Sequence, residues 1–283
     1  MAFALEPFQS PHTPQFQNAP KAKIAYDQTM AVSGSLSPAD RPVSKTDPIE
    51  SARQRLIVAL DVPDASSAER LVHCLEGTCA WFKVGLELFV AAGPAVLEPI
   101  LERGYSVFLD LKFHDIPNTV AGAVRSAAGL GARMLTVHAS GGPAMLTAAR
   151  SALEGVVNPP ELIAVTMLTS LDTAQLIAIG LDRSPSDQVE LLARMGIQAG
   201  LNGFVCSPQE VAAVRAVAGP GAKLVVPGIR PAGSHVGDQK RIATPAETLH
   251  RGASYLVVGR PITQAADPAA AAGAILNEMA TAL

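Results

Sequence analysis

Short apolar segments recur along the chain from Arg53 onward, and each is followed by a stretch with helical character. Each segment has four to six residues and lacks the alternation of apolar and polar positions expected of a strand with one solvated face. Such segments are typical of parallel strands that are covered on both faces. The eight predicted strands are Leu56–Leu60, Trp81–Gly85, Ser106–Leu111, Met134–His138, Leu162–Met167, Gly203–Cys206, Lys223–Val226 and Tyr255–Val258.

One predicted helix follows each strand, which gives eight strand–helix units in about 230 residues. This number of units predicts an α/β protein with a (β/α)8 TIM barrel, a parallel eight-stranded barrel with outer helices. An open doubly wound sheet is the alternative, but its G-x-G-x-x-G turn is absent after Leu60. The predicted helices are Ala65–Glu76, Gly93–Arg103, Thr119–Leu130, Pro143–Leu153, Gln188–Ala199, Pro208–Ala216, Pro245–Arg251 and Pro268–Met279.

The first fifty residues differ from the rest of the 283-residue chain. They are rich in Pro, Ser, Gln, Ala and Thr and show neither strand nor helix periodicity. Such a segment buries too little apolar surface to offset its conformational entropy. We therefore predict a flexible N-terminal extension over residues 1–50 and a TIM-barrel domain over residues 51–283.

Composition narrows the class of protein further. The net charge of −3 gives no basic footprint for nucleic acid, and no apolar segment reaches the roughly 18 residues of a membrane span. A secretory signal pattern is also missing from the first residues. The three cysteines, Cys74, Cys79 and Cys206, lack C-x-x-C spacing. We therefore expect reduced thiols and a cytoplasmic location.

Charged residues cluster where the predicted strands end. Asp61 follows the first strand, Lys83 lies in the second, and LDLKFHDIPNT at the third contributes Asp110, Lys112 and Asp115. Active sites of such barrels lie at the C-terminal ends of the strands. Buried charges have to be paired, so we predict an alternating array of Lys83, Asp110, Lys112 and Asp115. An ordinary buried salt-bridge network is the alternative.

The last two strands end in turns suited to phosphate. VPGIRP contains Arg230, and VVGRPIT contains Gly259 and Arg260. Loops after strands seven and eight often bind phosphate in barrels of this kind, and arginine can bind two phosphate oxygens at once. Between these turns lies a long polar segment, residues 232–242, which we predict to be a closing lid.

Two histidines near the strand ends are further candidate site residues, and they raise the possibility of a metal site. His138 at the end of the fourth strand could act as a base, although a packed, hydrogen-bonded histidine is the more common case. His114 could point outward. No His and carboxylate pair has metal-ligand spacing, and Lys112 would compete with a cation beside Asp110. We therefore expect neither a metal nor a cofactor.

These motifs resemble the orotidine 5′-phosphate decarboxylase family, in its bacterial form. The resemblance runs from about Arg53 to the last helix and rests on LDLKFHDIPNT together with motifs in the same order along the chain. The other motifs are ALD at 59–61, KVG at 83–85, VTMLTS at 165–170, PGIRP at 227–231, GDQKRI at 237–242 and VGRPIT at 258–263. The resemblance implies decarboxylation of orotidine 5′-phosphate to UMP, the last step of de novo pyrimidine biosynthesis, without a cofactor.

The resemblance also implies a role for each matching residue. Lys112 would be the proton donor to carbon 6 of the pyrimidine, with Asp110 and Asp115 beside the departing carboxylate. Asp115 and Thr119 would reach the site of a partner subunit, so a homodimer is expected. Substrate contacts are implied for Asp61 at the ribose or base side, Lys83 at the ribose, and Thr169 and Ser170 at the base. The phosphate contacts implied are Arg230, Gln239, Gly259 and Arg260.

Two rival functions remain open at this stage. The first is the 3-keto-gulonate 6-phosphate decarboxylase or hexulose phosphate synthase type, which uses an Asp-x-Lys-x-x-Asp pattern to hold Mg²⁺. IPNT after Asp115 and Gln239 in a long lid favour the orotidine reaction instead. The second rival is a non-catalytic barrel that binds nucleotides or serves as a scaffold, and the intact set of charged residues disfavours it.

Overall fold

A computed structural model describes residues 47–231 and 243–283. Its first helix, α1 (Pro48–Arg55), begins where the Asp47 side chain accepts hydrogen bonds from the amides of Ile49 and Glu50. This helix packs against the last helix of the chain, α12 (Pro268–Ala280). Most of the predicted extension lies outside the described residues, so its boundary at residue 50 stays a prediction.

Eight parallel strands form a closed barrel in which neighbours follow chain order and the last strand pairs with the first. This confirms the fold predicted from the sequence, because the apolar segments could be buried on both faces only in a layered parallel sheet. The strands are β1 (Leu56–Ala59), β2 (Trp81–Gly85), β3 (Ser106–Phe113), β4 (Met134–His138), β5 (Glu161–Val165), β6 (Gly203–Val205), β7 (Lys223–Val226) and β8 (Tyr255–Val258).

The described ranges contain ten further helices, of which nine connect consecutive strands and the tenth follows the last strand. The predicted helix Gly93–Arg103 is replaced by a 3-10 turn, Pro94–Leu97, and a short α-helix. The sequence missed the helix that continues directly from β2 without a polar break. The helices are α2 (Ala65–Cys74), α3 (Leu86–Ala92), α4 (Glu98–Glu102), α5 (Pro117–Ala128), α6 (Gly142–Ser151), α7 (Thr173–Ala178), α8 (Pro185–Gln198), α9 (Val211–Ala218), α10 (Pro245–His250) and α11 (Arg260–Thr263).

Side chains of the strands divide into two buried layers. One layer packs against the helices, and the other fills the inside of the barrel with residues such as Ala59, Trp81, Phe108 and Met134. Successive side chains of a strand point to opposite faces, so the residue two positions later returns to the interior. The interior rows therefore continue towards the C-terminal mouth of the barrel as Asp61, Lys83, Asp110 and Thr136.

None of the helices in the two described ranges combines the length and the apolar character needed to cross a membrane.

Candidate active site

An alternating chain of four charges lies at the C-terminal mouth of the barrel. The Lys83 ammonium is 2.8 Å from Asp61 Oδ1 and 3.8 Å from Asp110 Oδ2. The Lys112 ammonium is 2.7 Å from the same Asp110 oxygen. Only 10% of the Lys83 side chain and 11% of the Asp110 side chain are exposed. Each charge in this array thus has an opposite charge beside it, as burial requires.

The array contains Asp61 in the place where the sequence predicted Asp115. Lys83, Asp110 and Lys112 come together as expected, but the acid bonded to the far side of Lys83 is Asp61. Asp115 follows the strand in an exposed turn, and its carboxylate accepts a hydrogen bond from the Ile116 amide at 2.6 Å. The prediction of Asp115 as a fourth member of the array within its own chain is therefore corrected.

Strand β3 does not keep a regular alternation through the array. Leu109 and Phe113 pair with Leu135 and Val137, so four steps along β3 match two steps along β4. Lys112 lies in this bulge with a φ of 50°. This value is in the left-handed region of backbone conformation, which residues other than glycine rarely adopt. Strained backbone of this kind is frequent at functional sites. The sequence analysis placed Lys112 beside Asp110 by regular alternation along β3. The structure places it there through the bulge instead.

Because Gly85 has no side chain, the ion pair of Lys83 and Asp61 can lie directly against its backbone. A Cβ atom added there would lie 2.8 Å from the Lys83 ammonium and 3.2 Å from Asp61 Oδ1. Both distances are shorter than an ordinary contact with carbon, so a side chain at position 85 would displace the pair. Glycine at the end of β2 is therefore needed for close approach rather than for a turn.

Two arginines lie near each other at the ends of β7 and β8. Gly228 has a φ of 80° and turns the chain towards Arg230, whose amide donates to the carbonyl of Ala243 at 3.0 Å. Burial, together with the positive charge of Arg260, lowers the pKa of the Arg230 guanidinium. Like charges placed together in this way favour an anion between them. Gln239, the third predicted phosphate ligand, lies outside the described residues.

The remaining predicted contacts occupy the same mouth at different depths. Thr169 is buried after β5, and the neighbouring Ser170 is exposed. Gly259 precedes the first residue of α11, and Thr119 is exposed in the first turn of α5. These positions can meet a ligand that enters from solvent, and Gly259 lies beside the array, because a Cβ atom added there would be 3.6 Å from Asp61 Oδ2.

His138 has the character of a packed histidine. Its ring centroid lies 5.3 Å from that of His114. Burial, followed by the positive charges of His114 and Lys112, lowers the pKa of His138 to about 4. The imidazole is therefore neutral at pH 7 and adds no positive charge to the mouth.

Thr136 is a residue of this site that the sequence analysis missed. It is fully buried on β4, and its hydroxyl contacts both Asp110 and the backbone of Lys112. Threonine is a common strand residue, and no motif distinguished this one. Only the pairing of β3 with β4 brings it to the array.

Both carboxylate oxygens of Asp110, the acid at the centre of the array, already accept hydrogen bonds. Lys112 bonds to one of its oxygens and Thr136 to the other. Across residues 47–231 and 243–283, no group of three or more His, Cys, Asp or Glu side chains has an arrangement that could hold a metal ion. The donors around Asp110 are thus an ammonium and a hydroxyl, which suit an ion-pair network better than metal coordination.

Fold and site together define the class of protein: a (β/α)8 barrel with a partly buried lysine–aspartate array and an arginine pair at its C-terminal mouth. The model of the orotidine 5′-phosphate decarboxylase / HUMPS family matches residues 54–275. Because this match covers most of the 283 residues, the chain belongs to that family.

Individual relatives agree with the family match. The orotidine 5′-phosphate decarboxylase of Moorella thermoacetica is 54% identical over 234 residues, which cover 81% of this chain and 93% of the relative. That of Anaeromyxobacter dehalogenans is 55% identical over 78% of this chain and 96% of its own length. The crystal structure of orotidine 5′-phosphate decarboxylase from Lactobacillus acidophilus is similar with a TM-score of 0.70 and 38% identity, covering 80% of this chain and 98% of that one.

Proposed function

We propose that this protein is an orotidine 5′-phosphate decarboxylase that converts its substrate to UMP and CO₂ in pyrimidine biosynthesis. Family membership and the names of relatives more than half identical to it support the reaction. One observation carries the chemistry: the Lys112 ammonium is held 2.7 Å from Asp110 inside the barrel mouth, with a second lysine on the other side of that acid.

Lys112 supplies the proton in this proposal. The bond between carbon 6 and the carboxylate breaks, CO₂ leaves, and the electron pair stays at carbon 6. The ammonium then transfers a proton to that carbon to give UMP, and the neutral amine regains a proton from solvent. A preorganised positive charge at this point stabilises the developing carbanion and also quenches it. No cofactor is needed for these steps.

Asp110 has two roles beside the reacting carbon. Its carboxylate holds the Lys112 ammonium through a charge-assisted hydrogen bond. It also lies beside the departing carboxylate of the substrate and disfavours that negative charge in the ground state, and Asp115 of a partner subunit acts in the same direction. Lys83 and Asp61 bind the ribose and keep the array neutral as a whole.

The phosphate group is bound away from the reacting carbon. Arg230 and Arg260 bind its oxygens with Gly259, and Gln239 contributes from the segment between β7 and α10. Thr169 and Ser170 contact the pyrimidine base. Binding energy from the phosphate fixes the base over Lys112, so a substrate without phosphate should lose turnover as well as affinity.

We also propose that the active enzyme is a cytoplasmic homodimer with shared sites. Asp115 and Thr119 are exposed at the mouth, and exposed apolar residues accompany them: 67% of Ile116 and 53% of Leu86 are accessible in the single chain. Apolar side chains at an exposed edge favour burial against another protein surface. A second copy placed there would bring its Asp115 and Thr119 to the neighbouring site.

The function is tested by the loss of ultraviolet absorbance of orotidine 5′-phosphate with purified protein, with and without a chelator. We expect formation of UMP and CO₂ in equal amounts and the same rate in both conditions, because Lys112 rather than a cation stabilises the carbanion. Absence of turnover would refute the proposed function. Absence of this turnover together with Mg²⁺-dependent turnover of a keto-sugar phosphate would favour the metal-dependent rival of the same family.

Shared sites are tested by mixing two inactive variants, Lys112→Ala and Asp115→Asn. Random exchange gives hybrid dimers for half of the molecules, and each hybrid has one site with both residues intact. We therefore expect recovery of about a quarter of the wild-type activity. Mixtures that stay inactive although mass spectrometry detects hybrid dimers would contradict the contribution of Asp115 across the interface.

A further inference from the structure

A closed ring of hydrogen bonds joins the two ends of Lys112. Its backbone N–H donates to Thr136 Oγ1 at 2.8 Å, and that hydroxyl donates to Asp110 Oδ1 at 3.1 Å. The other oxygen of the same carboxylate accepts from the Lys112 ammonium at 2.7 Å. Because the hydroxyl has one proton, accepting from the amide leaves that proton for Asp110. A single buried hydroxyl thus links the backbone of Lys112 to the acid that binds its side chain.

The bulge in β3 explains why such a link is needed. Thr136 lies on β4 between Leu135 and Val137, the residues that pair on either side of the bulge. Lys112 has a left-handed backbone conformation there, and its amide donates to the threonine side chain. This conformation costs free energy for a residue other than glycine, so it persists only where contacts with the surrounding structure hold it in place. The Thr136 hydroxyl provides that restraint.

We propose that Thr136 is a positioning residue for the reaction. Its hydroxyl holds the bulge at Lys112 and fixes the carboxylate of Asp110, so that the ammonium is aimed into the mouth before substrate arrives. The role of positioning Lys112 for proton transfer rests on the proposed function; the hydrogen-bonded ring does not. Valine has nearly the same shape as threonine but can neither accept from Lys112 nor donate to Asp110.

The proposal is tested by steady-state kinetics of Thr136→Val, Thr136→Ser and a control, Thr248→Val. Thr248 is also fully buried, and its hydroxyl donates to the Thr244 carbonyl within α10, away from the array. We expect kcat of Thr136→Val to fall by roughly 10- to 100-fold, as for loss of a hydrogen bond to a charged group. KM and the Kd of UMP should change by less than about 3-fold, because binding depends mainly on the phosphate and base contacts.

The serine variant and the control separate the hydroxyl from general effects on packing. Thr136→Ser keeps the hydroxyl and should retain kcat within about 3-fold, and Thr248→Val should retain wild-type kinetics. If Thr136→Val does not fold, Thr136→Ala is measured and has to show the same split between kcat and KM. An unchanged kcat in the valine or alanine variant, or an equal loss in the serine variant, would overturn the proposal.

A crystal structure of Thr136→Val distinguishes failure of this inference from failure of the proposed function. We expect the positive φ of Lys112 to be lost and its ammonium to leave Asp110, whatever substrate the protein uses. Lys112 kept in its wild-type position would overturn the inference even if the wild-type protein decarboxylates orotidine 5′-phosphate. If wild type lacks that activity but Lys112 moves in the variant, the proposed function fails while the positioning of Lys112 by Thr136 stands.

Discussion

The two mouths of the barrel both contain a lysine bonded to an acid from another strand, in very different surroundings. At the N-terminal mouth, Lys223 at the start of β7 contacts Glu161 at the start of β5, and 45% and 27% of these side chains are exposed. At the C-terminal mouth, the exposed fractions of Lys83 and Asp110 are 10% and 11%. The first pair joins one lysine to one acid at the strand starts, and the second belongs to a chain of four charges.

This difference separates an ordinary ion pair from a candidate catalytic array. An exposed pair is screened by water and contributes about 0–1 kcal/mol to stability. Buried charges lose hydration and are retained only where other charges and hydrogen bonds replace the water. The C-terminal array meets that condition through the contacts of Asp110 with Lys83, Lys112 and Thr136. Chemical type alone would not distinguish the two lysine–acid pairs, but burial and connectivity do.

The largest expected contrast between the mouths is in activity. Lys112→Ala removes the proposed proton donor, so kcat on orotidine 5′-phosphate should fall by at least about 10²- to 10⁴-fold, the range typical of general acid catalysis. Lys223→Ala should have wild-type kcat, because Lys223 lies at the opposite end of the strands. Absorbance assays of both variants, with binding of UMP as a control for folding, make the comparison. Near-wild-type turnover by Lys112→Ala would remove the assignment of the proton donor.

A smaller contrast is expected in stability. Lys83→Met leaves Asp61 without its bonded partner and Asp110 with only one of its two lysines. Removing one member of a buried ionic network typically costs about 3–5 kcal/mol, and we expect about 2 kcal/mol because Lys112 and Thr136 remain on Asp110. Lys223→Met should lower the free energy of unfolding by less than about 1 kcal/mol. Urea unfolding of the two variants would measure this difference, and equal losses would show that burial does not distinguish the mouths.

A third contrast concerns pH at the C-terminal mouth. Burial lowers the pKa of His138 from 6.5 to about 4, so the unfolded chain binds a proton between these values that the folded protein does not. The stabilisation is therefore complete above pH 6.5 and is lost as the pH falls towards 4. His114, Lys112 and Asp110 are the charged or titratable groups that act on this ring. His138→Gln should show a smaller fall in Tm between pH 7 and pH 4.5 than wild type.

The pH comparison is made on the difference between the two proteins, because other groups titrate in both. Tm is measured by calorimetry at several pH values without substrate. Parallel curves of Tm against pH for wild type and His138→Gln would contradict the prediction. They would mean that the pKa of His138 is the same in the folded and unfolded chains.

Much of the barrel could be predicted because each strand has a strong local signal. All eight predicted strands are present, and β2, β4, β7 and β8 have the predicted bounds. Helices were less certain where no polar residue marks their start, as in α3, which follows Gly85 directly. Local pattern thus predicted where the buried strands lie better than it predicted the helix boundaries on the outside.

The candidate site could be predicted in part. Lys83, Asp110 and Lys112 were expected together because they share the interior rows of adjacent strands, and the structure places them together. Whether they act as proposed remains a prediction. The place of Asp61 in the array, and the contacts of Thr136 with Asp110 and Lys112, depended on distances between strands that are separated in sequence. No period along one strand contains that information.

The sequence by itself determined the barrel and the end of it that holds the charges, because burial of apolar segments and the two-residue repeat of a strand are local properties. Tertiary structure alone decided how those charges pair. The bulge at Lys112 and the hydroxyl opposite it arise from the register of β3 against β4. Register depends on how all eight strands close around one interior, so it can be seen only when the whole barrel is assembled.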